Sequence, residues 1–175
     1  MIELPEAVTL ARQVSESLTA RAIQTVIAGA SPHKFAWFKG DPAGYPALLE
    51  GSTIEGATSH GGHLEVFTDR AACDFHDGVN LRLHPQSGAI PARHQLLLTF
   101  DDGSALSASV QMYGGLYCWP RDEEFDYSYL NVAREKPSPL DTTLFSEDWF
   151  LQLLAAPDVQ KLSAKAALAT NQRIP

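Results

Sequence analysis

Between residues 22 and 119 apolar side chains recur with a period of two, and this pattern constrains the architecture most. The runs AIQTVIA, STIEGAT, HLEVFT, VNLRLH, HQLLLTF, ALSASVQMY and GLYCW alternate or carry β-branched residues, as half-buried strands do. Gly61-Gly62, Asp77-Gly78 and Asp101-Asp102-Gly103 separate them. The last lies between HQLLLTF and SALSASV and predicts a hairpin, because Asp-Gly tolerates the positive φ that such turns demand. Short strands at this spacing predict a β-sandwich or barrel, with a short helix over 43–50.

The flanks follow a helical period. Leu4, Val8, Ala11, Val14 and Leu18 recur at three- and four-residue spacing, which predicts an amphipathic helix over 5–18. Pro5 suits its first turn and Glu6 favours the dipole there. After Trp119, RDEEFD reads as an exposed acidic loop, YSYLNVAREK as one or two helical turns and KPSPLD as a linker. Ser146 is placed to cap a helix through about Ala156, and Asp158 a last one through about Thr170. The expected fold class is α+β: a β-sandwich of short antiparallel strands, an N-terminal helix against it, and C-terminal helices after it. The expected division is 1–136 for the strand-rich domain and 137–175 for a linker and the first helices of an incomplete helical domain. Leu151, Leu154 and Leu168 would leave an apolar stripe there, so packing on the sandwich or pairing with a second copy is expected.

Charge narrows the partners. The 175 residues carry a net charge of −8 and a pI near 5.1, which opposes attachment to DNA by bulk electrostatics. Apolar residues make up 45% and charged ones 19%, enough for a packed core. No apolar run approaches a membrane span and no leader is visible at the start, so a cytoplasmic protein without a membrane partner is expected. Cys73 and Cys118 alone make neither a disulfide framework nor a four-cysteine zinc site.

Few residues combine into recognisable chemistry. His60-Gly-Gly-His63 would reach one metal only across a bend, since i and i+3 on a strand face opposite sides. No third ligand stands beside the pair in sequence, so no metal and no cofactor are expected. The glycine pairs lack a phosphate-loop context, and Ser104, Ser107 and Ser109 lack a nucleophile elbow. At the N-terminus, Glu3 and Glu6 bracket the helix start. They either decorate that start or shuttle a proton to a terminal amine nucleophile.

The opening Ile2-Glu3-Leu4-Pro5-Glu6-Ala7-Val8-Thr9 resembles that of the formamidopyrimidine-DNA glycosylase/endonuclease VIII family, which begins Met-Pro-Glu-Leu-Pro-Glu or Met-Pro-Glu-Gly-Pro-Glu. Near the other end, Lys161-Leu-Ser-Ala-Lys165 through Leu168, Asn171 and Ile174-Pro175 resembles the stretch that runs into that family's Gly-x-Gly-Asn motif. The resemblance implies the N-terminal domain of a two-domain base-excision enzyme acting on damaged double-stranded DNA, with the zinc finger of the missing half absent from this chain. It implies an N-terminal amine that attacks the sugar C1′ and releases the base through a Schiff base, with Glu3 as the catalytic glutamate and Glu6 as the second one.

The carry-over departs in named places. The family's proline position holds Ile2, whose bulk should hinder removal of Met1. The nucleophile would then be the Met1 amine, displaced by one residue, or the Ile2 amine if processing occurs. A misplacement near 1 Å can cost about 100-fold in rate. Ser59-His60-Gly61-Gly62-His63 aligns with an Arg-Arg-Gly-Lys type hairpin, so Gly62 stands where a lysine is expected and His60 is the residual DNA-facing group. Val110 to Gly115 aligns with Asp-Pro-Arg-Arg-Phe-Gly, so Met112 or Tyr113 replaces the arginine that fills the gap left by a flipped base. Lys165 matches a lysine near the flipped nucleotide. The readings are therefore a divergent glycosylase and abasic-site lyase, or an inactive module that binds damaged DNA or a protein.

Overall fold

The computed structural model describes residues 1–170 and 173–175, with backbone only at 169 and 170. The chain divides into two compact units, Met1–Phe125 and Asp126–Pro175.

In the first unit, helix α1 (Leu4–Leu18) precedes strands β1 (Ile23–Ala28) and β2 (Ala36–Phe38) and helix α2 (Tyr45–Leu49). Strands β3 (Ile54–His60), β4 (His63–Thr68), β5 (Ala71–His84), β6 (Leu96–Phe100) and β7 (Ala105–Pro120) follow. They form one sheet in the order β1-β6-β7-β5-β4-β3, to which β2 adds by pairing with β7. The α+β class is as expected. Three features differ from the expected short antiparallel strands. Strand β2 runs parallel to β7, β5 runs unbroken through Asp77-Gly78, expected to separate two runs, and β7 joins ALSASVQMY and GLYCW into one strand.

Both long strands turn a corner instead of ending. Asp77 and Met112 adopt φ of 58° and 64°, and the β5–β7 register slips between Asp77 and Val79. Gly78 lies so close to its partner strand that a Cβ would stand 1.9 Å from the Gln111 carbonyl oxygen. The Asp-Gly pair thus serves as a bulge at a bend, which carries a strand from one layer to the other. Before the bend β7 pairs with β6, and after it with β2.

The core lies inside the folded sheet. Leu96, Leu98, Leu106 and Val79 meet Leu64, Phe75 and Leu116 there, and Phe100 is fully buried. Helix α1 covers this core with Ala7, Ala11, Val14 and Leu18. Val8, expected on that stripe, is exposed; the buried face is set one residue earlier, through Ala7. Burying a leucine side chain such as Leu18 contributes about 1.5–3 kcal/mol. The Ser15 hydroxyl accepts from the Ala57 N–H at 2.9 Å and locks α1 onto β3. The Asp101–Gly103 hairpin forms as the sequence predicts. Its Asp102 carboxyl is held below the usual carboxylate range by the Ser104 hydroxyl and N–H, and then by Arg21.

The 43–50 segment is a 3-10 turn, Pro42–Gly44, capped by Asp41, followed by α2. Tyr45 of α2 donates its hydroxyl to the Leu116 carbonyl at 2.8 Å and accepts from the Cys118 N–H at 3.1 Å. Burial pushes that phenol well above its ordinary range. Cys73 and Cys118 face each other across β5 and β7, and burial likewise raises the Cys118 thiol.

In the second unit, α3 spans Ser128–Glu135 and α4 spans Glu147–Ala155. The Ser146 hydroxyl accepts from the Trp149 N–H at 3.2 Å, a side-chain N-cap that satisfies one of the helix's first N–H groups. Asp158 caps no helix. Its carboxylate pairs with Arg173 at 2.7 Å, turns follow it, and the last helical turn is Ala166–Thr170. Asn171 of the C-terminal motif lies outside the described residues. No helix is long and apolar enough to cross a membrane among the described residues.

Candidate functional site: the N-terminal groove and the strand corner

The chain start is anchored at the corner of the sheet. Ile2 is buried, and its N–H donates to the carbonyl of Asp77, the residue that opens the bend. The β3–β4 turn closes from the other side. A Cβ at Gly62 would lie 2.8 Å from the Ile2 carbonyl oxygen, so this turn reaches the N-terminus only because it has no side chain there. The position expected to carry a lysine in the resembled family therefore has no room for one.

Met1 projects beyond this anchor and is 68% exposed. Together with Ile2, Glu6 and Asn80 it lines a groove of about 450 Å³ between α1 and β5. Glu6 faces that groove. Its carboxylate also accepts the Glu3 N–H at 3.1 Å, as part of a capping box. Glu3 is exposed at the helix N-cap. Both carboxylates thus stand at the chain start, within one turn of helix.

Met112 and Tyr113 sit on the same corner. The left-handed backbone at Met112 turns its side chain outward, leaving it 79% exposed. The Tyr113 hydroxyl lies 3.8 Å from the Met1 sulfur, so the apolar tip and the chain start are neighbours. Two further residues join them. The parallel pairing of β2 with β7 sets Trp37 opposite Gly115, and the Phe35 carbonyl accepts the Gly114 N–H at 3.0 Å. Trp37 stacks obliquely on Tyr113, with centroids 5.8 Å apart. Phe35, Trp37, Met112 and Tyr113 line one apolar hollow, with the Lys34 ammonium 5.2 Å from the Phe35 ring centroid.

Phe35 and Trp37 were not among the residues singled out from the sequence. The signal is in Lys34-Phe35-Ala36-Trp37-Phe38-Lys39: aromatics two apart share one face of a strand, and basic residues flank them. His60 lies at the end of β3, with Nε2 3.6 Å from the buried Glu65 carboxylate. Lys165 is exposed on the second unit. His60 and His63 are paired directly across the β3–β4 turn, but His60 is not part of the cluster of potential ligands that His63 joins. Instead Asp74 and His76, remote in sequence, bring their ligand atoms and that of His63 within 4.8 Å of one another.

No protein-family model matches the sequence, and no curated protein matches it. Solved structures do match. One is the Lactococcus lactis formamidopyrimidine-DNA glycosylase, Fpg, in complex with DNA containing an abasic site: 23% identity, TM-score 0.69, covering 87% of this chain and 56% of that one. Another is MutM in complex with DNA containing carbocyclic 8-oxo-G: 23% identity, TM-score 0.68, covering 86% and 56%. A third, an inhibited Lactococcus lactis Fpg with DNA containing N7-benzyl-Fapy-dG, gives a TM-score of 0.58 over 69% of this chain and 44% of that one. The chain spans about half the length of the proteins it matches, and over that span its fold is that of the Fpg-like N-terminal domain.

Proposed function

We propose that this chain is the damage-reading N-terminal domain of a divergent DNA glycosylase-like protein, in which recognition of distorted duplex DNA is kept and cleavage of the N-glycosidic bond is slow or lost. The observation that carries the reading is the exposed Met112–Tyr113 tip, braced by Trp37 and set directly beside Met1. Apolar wedges of this kind enter opened base steps and hold them apart, and aromatic side chains stack on any base. The structural neighbours were solved with DNA carrying an abasic site or a modified base, which supports damaged duplex as the partner.

The chemistry is the weakened part. Ile2 is buried with its N–H committed to Asp77; with Met1 retained, the amine available to attack a sugar is the primary amine of Met1, one residue ahead of the family's position, and with Met1 removed it is that of Ile2. Glu6 and Glu3 are the carboxylates that would move protons to and from it. A shift of this size reduces rate by about 100-fold or more.

The test is fluorescence anisotropy at low salt with two duplexes, one intact and one carrying a tetrahydrofuran abasic analogue. Preference for the second is expected. Replacing both Met112 and Tyr113 by alanine should reduce that preference at least about fivefold, the lower end for loss of a stacked base. Borohydride trapping on abasic DNA should yield an adduct slowly, at Met1, or none. Absence of binding to either duplex would overturn the reading and favour a protein-interaction module, which the net charge of −8 suits better.

Self-association belongs to the same proposal. Leu151, Leu154 and Leu168 are exposed on the second unit, and a dimer in sedimentation analysis that dissociates in Leu151→Asp is expected. A monomer at high micromolar concentration would remove this part of the proposal.

A further inference from the structure

We propose that His63, Asp74 and His76 form a binding site for one divalent ion of the zinc class, independent of any nucleic acid. Antiparallel pairing of β4 with β5 places His63 directly opposite His76 and Glu65 opposite Asp74. Side chains two apart on a strand share a face, so His63, Asp74 and His76 converge on one face. Leu64 and Phe75 point to the core on the other.

The donor geometry is close to what an ion requires. The His63 Nδ1 lies 3.0 and 3.2 Å from the two Asp74 carboxylate oxygens. The His76 Nε2 lies 3.9 Å from Asp74 Oδ2, beyond a hydrogen bond but suited to two ligands of one ion. Metal–ligand bonds of about 2.0–2.1 Å in a tetrahedron set ligand atoms about 3.3 Å apart, and the three donor atoms already lie within 4.8 Å of one another.

The orientation of His76 is built in from two sides. Its Nδ1 bonds the Asp77 carboxylate at 2.9 Å, which leaves Nε2 as the lone-pair nitrogen that faces Asp74. A carboxylate behind a histidine is the support that metal-binding imidazoles carry. Gly115 provides the room, since a Cβ there would fall 2.0 Å from Nε2. Asp74 is fully buried and His76 nearly so, which makes this a formed site instead of a surface cluster. Two imidazoles and one carboxylate select borderline ions such as Zn²⁺ or Co²⁺ over Mg²⁺ or Ca²⁺. Three protein ligands leave the fourth position for water or an incoming group.

The test uses the untagged full chain, stripped with chelator and titrated with Co²⁺ while visible d–d absorption is recorded. One ion per chain is expected, displaced by Zn²⁺. His63→Gln and His76→Gln should abolish the absorption, and His33→Gln, at a half-buried histidine outside the set, should leave it intact. Asp77→Asn keeps all three ligands and tolerates the positive φ, and should weaken binding about 10–100-fold. That response separates an oriented site from a merely structural histidine–aspartate contact. If Asp74→Asn fails to fold, the histidine variants still decide the matter. No stoichiometric Co²⁺ binding by the wild-type chain, or binding indifferent to both histidine variants, overturns the proposal. Neither result bears on DNA recognition, because no DNA is present.

Discussion

Gly78→Ala is expected to destabilise the first unit by about 3 kcal/mol, the upper end of overpacking penalties, and to displace the Met112–Tyr113 tip with it. The cause is the identity of the obstructing atoms. A Cβ at 78 would stand 1.9 Å from the Gln111 carbonyl oxygen and 2.5 Å from that of Tyr113. Both are backbone atoms flanking Met112, so no rotamer change relieves the clash, and the two strands must separate where they bend. Urea unfolding measures the loss of stability, and preference for the abasic duplex measures the displacement. Gly44→Ala is the control: nothing lies within 4 Å of a Cβ there, and its effect should stay within about 0.5 kcal/mol. A Gly78→Ala variant as stable as wild type would mean that the corner is not the tight crossing described.

Phe100→Ala should cost about 3–5 kcal/mol, the range for emptying a buried aromatic site. Phe100 is fully buried at the end of β6, paired with Ile23 of β1, and belongs to the core that both layers share. Against a total stability of about 5–15 kcal/mol for a domain, the variant should unfold at much lower denaturant or fail to accumulate. Chemical denaturation followed by tryptophan fluorescence reads this directly. A loss below about 1.5 kcal/mol would place Phe100 outside a packed interior.

Local periodicity made much of this architecture legible and left its corner hidden. Helix α1, the hairpin at Asp101–Gly103 and the Ser146 cap follow from residue type and spacing, because neighbours in sequence decide them. Asp77-Gly78 resembles a turn for the same reason, yet it lies inside a strand of 14 residues. What distinguishes a bulge from a turn is the opposing strand, and no window on one strand contains it. Val8 and Ala7 exchanged places on the helix for a comparable reason: the sheet, not the helix period, chooses which edge of the stripe is covered.

The candidate site divides in the same way. Met1, Ile2, Glu3 and Glu6 follow from the N-terminal motif and Met112 and Tyr113 from the alignment of Val110–Gly115, and the structure brings Met1 against Tyr113. Trp37 and Phe35 escaped because β2 joins β7 in parallel across a long connection, a pairing that turn signals do not mark. Asp74 and His76 escaped as partners of His63 because only strand register sets them face to face.

The sheet order has a consequence for synthesis. Ile23 finds its strand partner at Phe100, so β1 leaves the ribosome long before the segment that covers it. At about 5–20 residues per second the interval is about 4–15 s. Throughout it the groups of β1 that pair with β6 are unclaimed, and long-range pairing of this kind also slows folding itself. Yield of this chain is therefore expected to depend on growth temperature and on the supply of holding chaperones.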